Sequence, residues 1–261
     1  MEIAEHIDAV RHQGGSLADA AERAGIDAAV PPCAPWLVKD LLRHTGYIHR
    51  WAARHITERP GQVLDGPSEE EILLGGTDDA ALLTWFRTGY VALADTLATA
   101  DPAVECATFM AAPSPLAFWA RRQAHETAIH RADAEGASGA TPEYEPGFAA
   151  DGIDELIMGF GRRRKYQPGV GPGGGGRLCV LAADTGDAWS VEAHEGRLQP
   201  RRDSDPETDG AANAGCTVSG PASGLYLYLW NRADAGRAGV TITGDPGLLS
   251  AWQASVRVRW G

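Results

Sequence analysis

Along the N-terminal part of the chain, apolar residues recur at the spacing of a helix face. Ile7, Val10, Leu17 and Ala20 predict an amphipathic helix over Ile3–Ala24, with Gly14-Gly15 as a point where it kinks or breaks. The run Val30-Pro31-Pro32-Cys33-Ala34-Pro35 stops any regular element. A second helix then runs from Trp36 to Arg59, with Leu37, Leu41, Leu42, Ile48, Trp51 and Ala52 as its apolar stripe and Pro60-Gly61 beyond its end. Residues 61–76 read as a loop with a short acidic turn at Glu69-Glu70-Glu71. Asp78 or Asp79 caps a third helix, Ala80–Ala100, whose Leu82, Leu83, Phe86, Tyr90, Leu93 and Leu97 face inward. Ser114 as N-cap and Pro115 at the first helical position start a fourth, through Phe118–Glu135, which Gly136 and Gly139 end. A last helix over Phe148–Arg164 completes an antiparallel bundle.

The pattern then changes. Gln167–Arg177, QPGVGPGGGGR, sustains no regular element and reads as a linker. Short strand-like runs follow at Leu178–Ala182, Ala188–Glu192, Cys216–Ser219 and Val240–Thr243. An apolar helix is predicted over Pro221–Trp230, and Asp245-Pro246 opens a closing helix, Gly247–Ala254. The expected organisation is a helical bundle over 1–166, a Gly-rich linker over 167–177 and a smaller α+β domain over 178–261.

Composition supports this division and narrows the function. At 261 residues the chain exceeds the roughly 100–150 residues of a usual single domain. No stretch approaches the roughly 20 apolar residues that span a bilayer, and the N-terminus lacks the basic start and apolar run of a signal peptide, so a cytoplasmic protein without a membrane partner is expected. A net charge of −12 argues against a nucleic-acid partner. The basic cluster Arg162-Arg163-Arg164-Lys165 reads as a helix C-terminus complementing its dipole. Cys33, Cys106, Cys179 and Cys216 form no CxxC pair; they are expected to be reduced thiols, which leaves histidines and carboxylates as candidate metal ligands.

Within Phe118–Glu135, Glu126 and His130 stand four residues apart, one turn along the same helical face. His125 and His130 are five apart, roughly 140° around the helix, so HETAIH is not the HExxH of a zincin. With His44 from a facing helix, Glu126 and His130 make a three-ligand set for a divalent metal, with an open position for a water or a substrate atom. A surface Glu/His pair gives the same spacing. Asp133 either accepts the second imidazole N–H of His130 or faces solvent. His49 and His55 read as packing or surface residues, and His125 as an outer neighbour of the ligands or a rim residue.

LLRHTGYIHRWA followed by WARRQAHETAIHRADAE resembles the mycothiol-dependent maleylpyruvate isomerase family, part of the DinB-like superfamily of metal-binding four-helix bundles. LYLYLWNRADAG and VTITGDPGLLSAWQASVRV are similar to that family's C-terminal domain, which is related in shape to sterol carrier proteins. The resemblance implies zinc on His44, Glu126 and His130, mycothiol as thiol cosubstrate, and Arg232 as a catalytic arginine. It further implies that a low-molecular-weight thiol binds as thiolate and attacks a small electrophile, giving a thiol transferase or an isomerase. A hydrolase using activated water, and a non-catalytic protein holding a metal and a small apolar ligand, are the alternatives. The protein is expected to be a monomer or a homodimer.

Overall fold

In the computed structural model, which describes residues 1–66, 68, 72, 78–163, 176–203 and 214–256, the chain divides into two units, Met1–Pro142 and Glu143–Trp260. The long helices of the first are α1 (Ile3–Ala24), α2 (Val38–Glu58), α3 (Leu82–Thr99) and α4 (Pro115–Ala137). α1 packs along α4 and α3, and α2 along α3 and α4, so each helix has two main neighbours and α2 lies against α4. This is the helical bundle that the apolar stripes of α1–α3 and the capping signals of α4 predict. α2 stops where Arg59 turns left-handed at φ 52° ahead of Pro60. α4 starts as its sequence demands, with Ser114 Oγ accepting the Ala117 N–H at 3.1 Å.

Gly14 and Gly15 do not break α1, which is continuous. A Cβ on Gly14 would sit 2.5 Å from Cγ of Tyr90, so this glycine admits the ring of α3 against the helix backbone. α4 is buried on every face, polar residues included. That explains why its sequence carries no apolar stripe: the helix is the centre of the bundle, and its buried polar groups must find partners within the unit.

The second unit opens with α5 (Pro146–Asp154), prolonged by a π-helical stretch, Glu155–Phe160, and a last helical turn, Gly161–Arg163. The sequence predicts this helix as the end of the first domain, with a boundary after residue 166. The unit boundary instead falls between Pro142 and Glu143. The reason is packing: Tyr144 and Phe148 set their rings 5.2 and 6.2 Å from Tyr226, and Phe160 lies 5.8 Å from Trp230. Trp230 Nε1 also donates to the Gly152 carbonyl at 3.3 Å. Residues 167–175 of the Gly-rich linker lie outside the described residues, as do Arg164-Lys165 and the acidic turn at Glu69-Glu70-Glu71.

The sheet comprises β1 (Leu178–Ala182), β2 (Ala188–His194), β3 (Arg197–Asp203), β4 (Cys216–Gly220) and β5 (Thr241–Gly244) in the order β3-β2-β1-β4-β5. β1 and β4 are parallel and the other pairs antiparallel. β3, RLQPRRD, is the strand the sequence does not predict. It is charged and carries Pro200, which an edge strand tolerates because no second neighbour needs its N–H. Its alternation is nevertheless visible in burial, with Leu198 and Pro200 inward. α6 (Ala222–Leu229) and α7 (Pro246–Val256) complete the α+β unit. Cys216 pairs with Leu178 and Cys179 with Thr217, which puts the two thiols on opposite sheet faces. All four cysteines are free thiols, and burial pushes Cys179 up to about 11.

A Cβ on Gly224 of α6 would lie 1.9 Å from the Ala238 carbonyl oxygen. Backbone cannot yield as a side chain does, so Gly224→Ala is expected to destabilise this unit by at least the ~1–3 kcal/mol typical of overpacking. Chemical denaturation followed by tryptophan fluorescence measures the loss; an unshifted midpoint would contradict it.

Candidate metal centre

Arg122, Glu126, His130 and Asp133 follow one another at spacings of four, four and three residues on α4, all buried. Their spacing makes a column along one helix face. From α2, His44 projects on the inward side with Leu41 and Thr45. His130 Nε2 lies 3.2 Å and His44 Nε2 3.7 Å from the same atom, Glu126 Oε1. One ligand atom from each of His44, Glu126 and His130 lies within 4.8 Å of the others. The three residues proposed from sequence are thus brought together, and the Glu/His pair is an interior pair with no surface character.

Asp133 Oδ2 accepts from His130 Nδ1 at 2.9 Å, the first of the two arrangements open to it from sequence; it does not face solvent. That hydrogen bond leaves Nε2 of a neutral His130 with its lone pair directed toward a carboxylate oxygen. Two acceptors 3.2 Å apart repel unless a proton or a cation lies between them. Glu126 Oε1, wholly buried, finds no well-formed hydrogen bond there. Two imidazole nitrogens and one carboxylate oxygen are the donor set of many catalytic zinc sites, so the residues fit a divalent metal.

Electrostatics agree with the geometry. Burial alone would raise the Glu126 carboxyl, but His130, His44 and Arg122 outweigh it and hold the group well below the usual carboxylate range. Burial would lower His130, but Asp133 and Glu126 raise it above an ordinary imidazole when no metal is bound. The carboxylates of Glu126 and Asp133 exceed the guanidinium of Arg122 by one negative charge. A divalent cation on this cluster would therefore be neutralised by one monoanion.

A loop before α2 covers the ligands. The Val30 N–H donates to the Trp36 carbonyl and the Val38 N–H to the Ala28 carbonyl, both at 2.9 Å, which closes the proline-rich run into a bridged turn. Its Trp36 ring lies 4.9 Å from that of His44 and 6.4 Å from that of His130. Cys33 Sγ, on the same turn, donates to Asp133 Oδ2 at 3.4 Å. Neither residue is singled out as part of the site by sequence, which reads Cys33 within a breaker and Trp36 as the first residue of the second helix; that helix instead starts at Val38 and leaves Trp36 on the turn. Arg122 had a signal, its four-residue offset from Glu126.

His49, His55 and His125 lie outside this cluster. His55 is no surface residue: its Nδ1 donates to the Trp51 carbonyl at 2.9 Å and its Nε2 accepts the Leu64 N–H at 3.0 Å. His125 is fully buried with its ring 6.1 Å from that of His6, so it does not face a rim. His49 donates through Nε2 to Thr127 Oγ1 at 2.9 Å, whose hydroxyl donates onward to the Gln123 carbonyl at 2.6 Å. Burial pushes His49 down to about 3. Below about pH 6.5 the unfolded chain takes up a proton that the folded imidazole refuses, so the stability it contributes at neutral pH is lost as pH falls toward about 3. The loss runs at up to about 1.4 kcal/mol per pH unit. His49→Gln is expected to flatten the pH dependence of unfolding free energy across this window; an unchanged slope would contradict it.

Arg232 belongs to the second unit, just after α6. It is half-buried, and its Nη1 donates to the Trp230 carbonyl at 2.7 Å.

The profile described as "Mycothiol maleylpyruvate isomerase N-terminal domain" matches residues 7–135, and that of the "MDMPI C-terminal domain" matches residues 148–251. The chain belongs to the mycothiol-dependent maleylpyruvate isomerase family. It is a family of enzymes. A crystal structure of the mycothiol-dependent maleylpyruvate isomerase superposes with a TM-score of 0.64 at 15% identity, covering 100% of this chain and 98% of that one. A histidine-to-alanine variant of that isomerase gives 0.63, with the same identity and coverage. At this identity the likeness establishes the shared fold of the maleylpyruvate isomerase family. No curated protein matches in sequence. Among the described residues, no helix is long and apolar enough to cross a membrane.

Proposed function

We propose that this protein is a metal-dependent, mycothiol-using enzyme of isomerase or transferase type, acting on a small electrophile. Zinc is the metal proposed, with His44, Glu126 and His130 as its ligands. The convergence of these three buried donors, in a chain of this family, is the observation that carries the reading. A divalent metal held there would lower the pKa of a coordinated thiol, so that mycothiol binds as thiolate at neutral pH.

The chain's own residues supply the rest. Asp133 fixes the His130 ring and keeps its proton on Nδ1. Trp36 sets an aromatic face beside His44, which limits water around the ligands. The single excess negative charge of the cluster matches a divalent cation with one monoanion, the charge state of a thiolate. Arg232 is assigned to a substrate carboxylate or to negative charge developing in the reaction; its side chain is steadied by the Trp230 carbonyl.

Maleylpyruvate, the substrate named in the structural relatives, is the first electrophile to assay, and a cytoplasmic location belongs to the same proposal. Turnover of metal-loaded protein should require added mycothiol. Equal turnover without thiol would point to a hydrolase instead. Absence of turnover with any electrophile, despite bound metal, would favour a non-catalytic binding protein.

A further inference from the structure

Arg122 lies one turn before Glu126 on α4, its side chain 3% exposed and that of Glu126 1%. Its Nη2 donates to Glu126 Oε2 at 2.9 Å. The other oxygen, Oε1, is the one that faces His130 and His44. The two oxygens of one carboxylate are thus divided between a guanidinium on one side and two imidazoles on the other. We propose that Arg122 is a positioning residue of the metal centre, holding Oε2 so that Glu126 presents Oε1 alone to the ion.

The inference rests on the metal-site reading above and deepens it. A carboxylate at the end of a flexible side chain can rotate, turn away or offer both oxygens to a cation. A charge-assisted hydrogen bond to one oxygen removes those choices before the ion arrives. Arginine suits the task because it keeps its charge when buried and donates along a fixed plane. The opposite end of the centre is held in a parallel way, by Asp133 on His130 Nδ1. Glu126 and His130 are each fixed by a charged partner from the same helix, so α4 carries both ligands and both supports.

A buried ion pair that only steadies the bundle would have the same geometry, and metal affinity separates the two roles. Zinc affinity is measured by competition with a chromophoric chelator on folded wild type, Arg122→Gln and Arg122→Lys, with metal-free thermal melts alongside. Arg122→Gln is expected to weaken zinc binding about 10- to 100-fold, the usual effect of losing an outer partner of a ligand. Arg122→Lys, which retains a positive charge within reach of Oε2, is expected to stay within about tenfold of wild type. Wild-type affinity in folded Arg122→Gln, or an equal loss in both variants, would overturn the inference. If Arg122→Gln does not fold, Arg122→Lys decides alone, and a loss beyond about tenfold would overturn it. Zinc binding in wild type that ignores Arg122 sinks this inference only, whereas no zinc binding by wild type sinks the metal reading with it.

Discussion

Alanine at His130 or at His44 should strip the protein of its metal. Purified wild type is expected to hold close to one equivalent of zinc, and each variant close to none. The two imidazoles come from different helices and meet at Glu126 Oε1, so neither can replace the other. Loss of an outer partner of a metal ligand costs about 10- to 100-fold in affinity, and loss of a ligand itself must exceed that. Folding is not expected to fail in step, since the substitutions leave intact an extensive buried apolar core of α1–α4 that includes Leu17, Leu82, Phe86, Leu93 and Leu97. Elemental analysis with circular dichroism on the same samples makes the comparison. Unchanged metal content in a folded His130→Ala protein would remove the site.

Arg232→Ala should impair turnover while leaving the metal in place. Arg232 lies in the second unit, whereas all three proposed ligands lie in the first. A donor aimed at developing negative charge contributes about 10²- to 10³-fold in rate when it is the main one, and a fall of that order is expected. A rise in KM with kcat unchanged would assign Arg232 to holding a substrate carboxylate; a fall in kcat would assign it to the transition state. Parallel loss of metal and activity would contradict both roles, because it would mean that the substitution disturbs the fold.

Much of this was legible in the sequence because local chemistry and tertiary context agree. Ser114-Pro115 sets the start of α4 by capping and fixed φ alone, and the stripe of α1 gives Ile3–Ala24 as found. β1, with all but one residue buried, reads as an apolar run bounded by turn residues. The failures have a common cause in packing that no local pattern encodes. Tyr144 and Phe148 choose Tyr226 as their partner, which moves α5 into the second unit. β3 hides its alternation behind arginines and a proline that only an edge position permits.

The centre divides in the same way. The four-residue step from Glu126 to His130 could be read directly, as could the exclusion of His125 by its five-residue step. His44 enters as a donor required from a facing helix, which the family resemblance also implies; spacing within one helix says nothing of what a neighbouring helix presents. Arg122 escapes sequence reasoning because a charged residue in a polar stretch looks solvent-facing, whereas α4 is buried on nearly all sides. Cys33 and Trp36 escape sequence reasoning because a proline-rich breaker gives no indication of where its turn will fold, or that the turn will hold the first residue of the expected helix.

The most direct test of the account is a mycothiol titration of cobalt-substituted protein followed by visible and near-ultraviolet absorption. Three protein donors, none of them sulfur, leave the incoming thiol as the only sulfur ligand proposed at this centre. The account predicts a new sulfur-to-cobalt charge-transfer band that saturates at one equivalent and is absent from His130→Ala. A spectrum unchanged by saturating mycothiol, in protein that holds cobalt, would contradict thiol ligation and with it the proposed function.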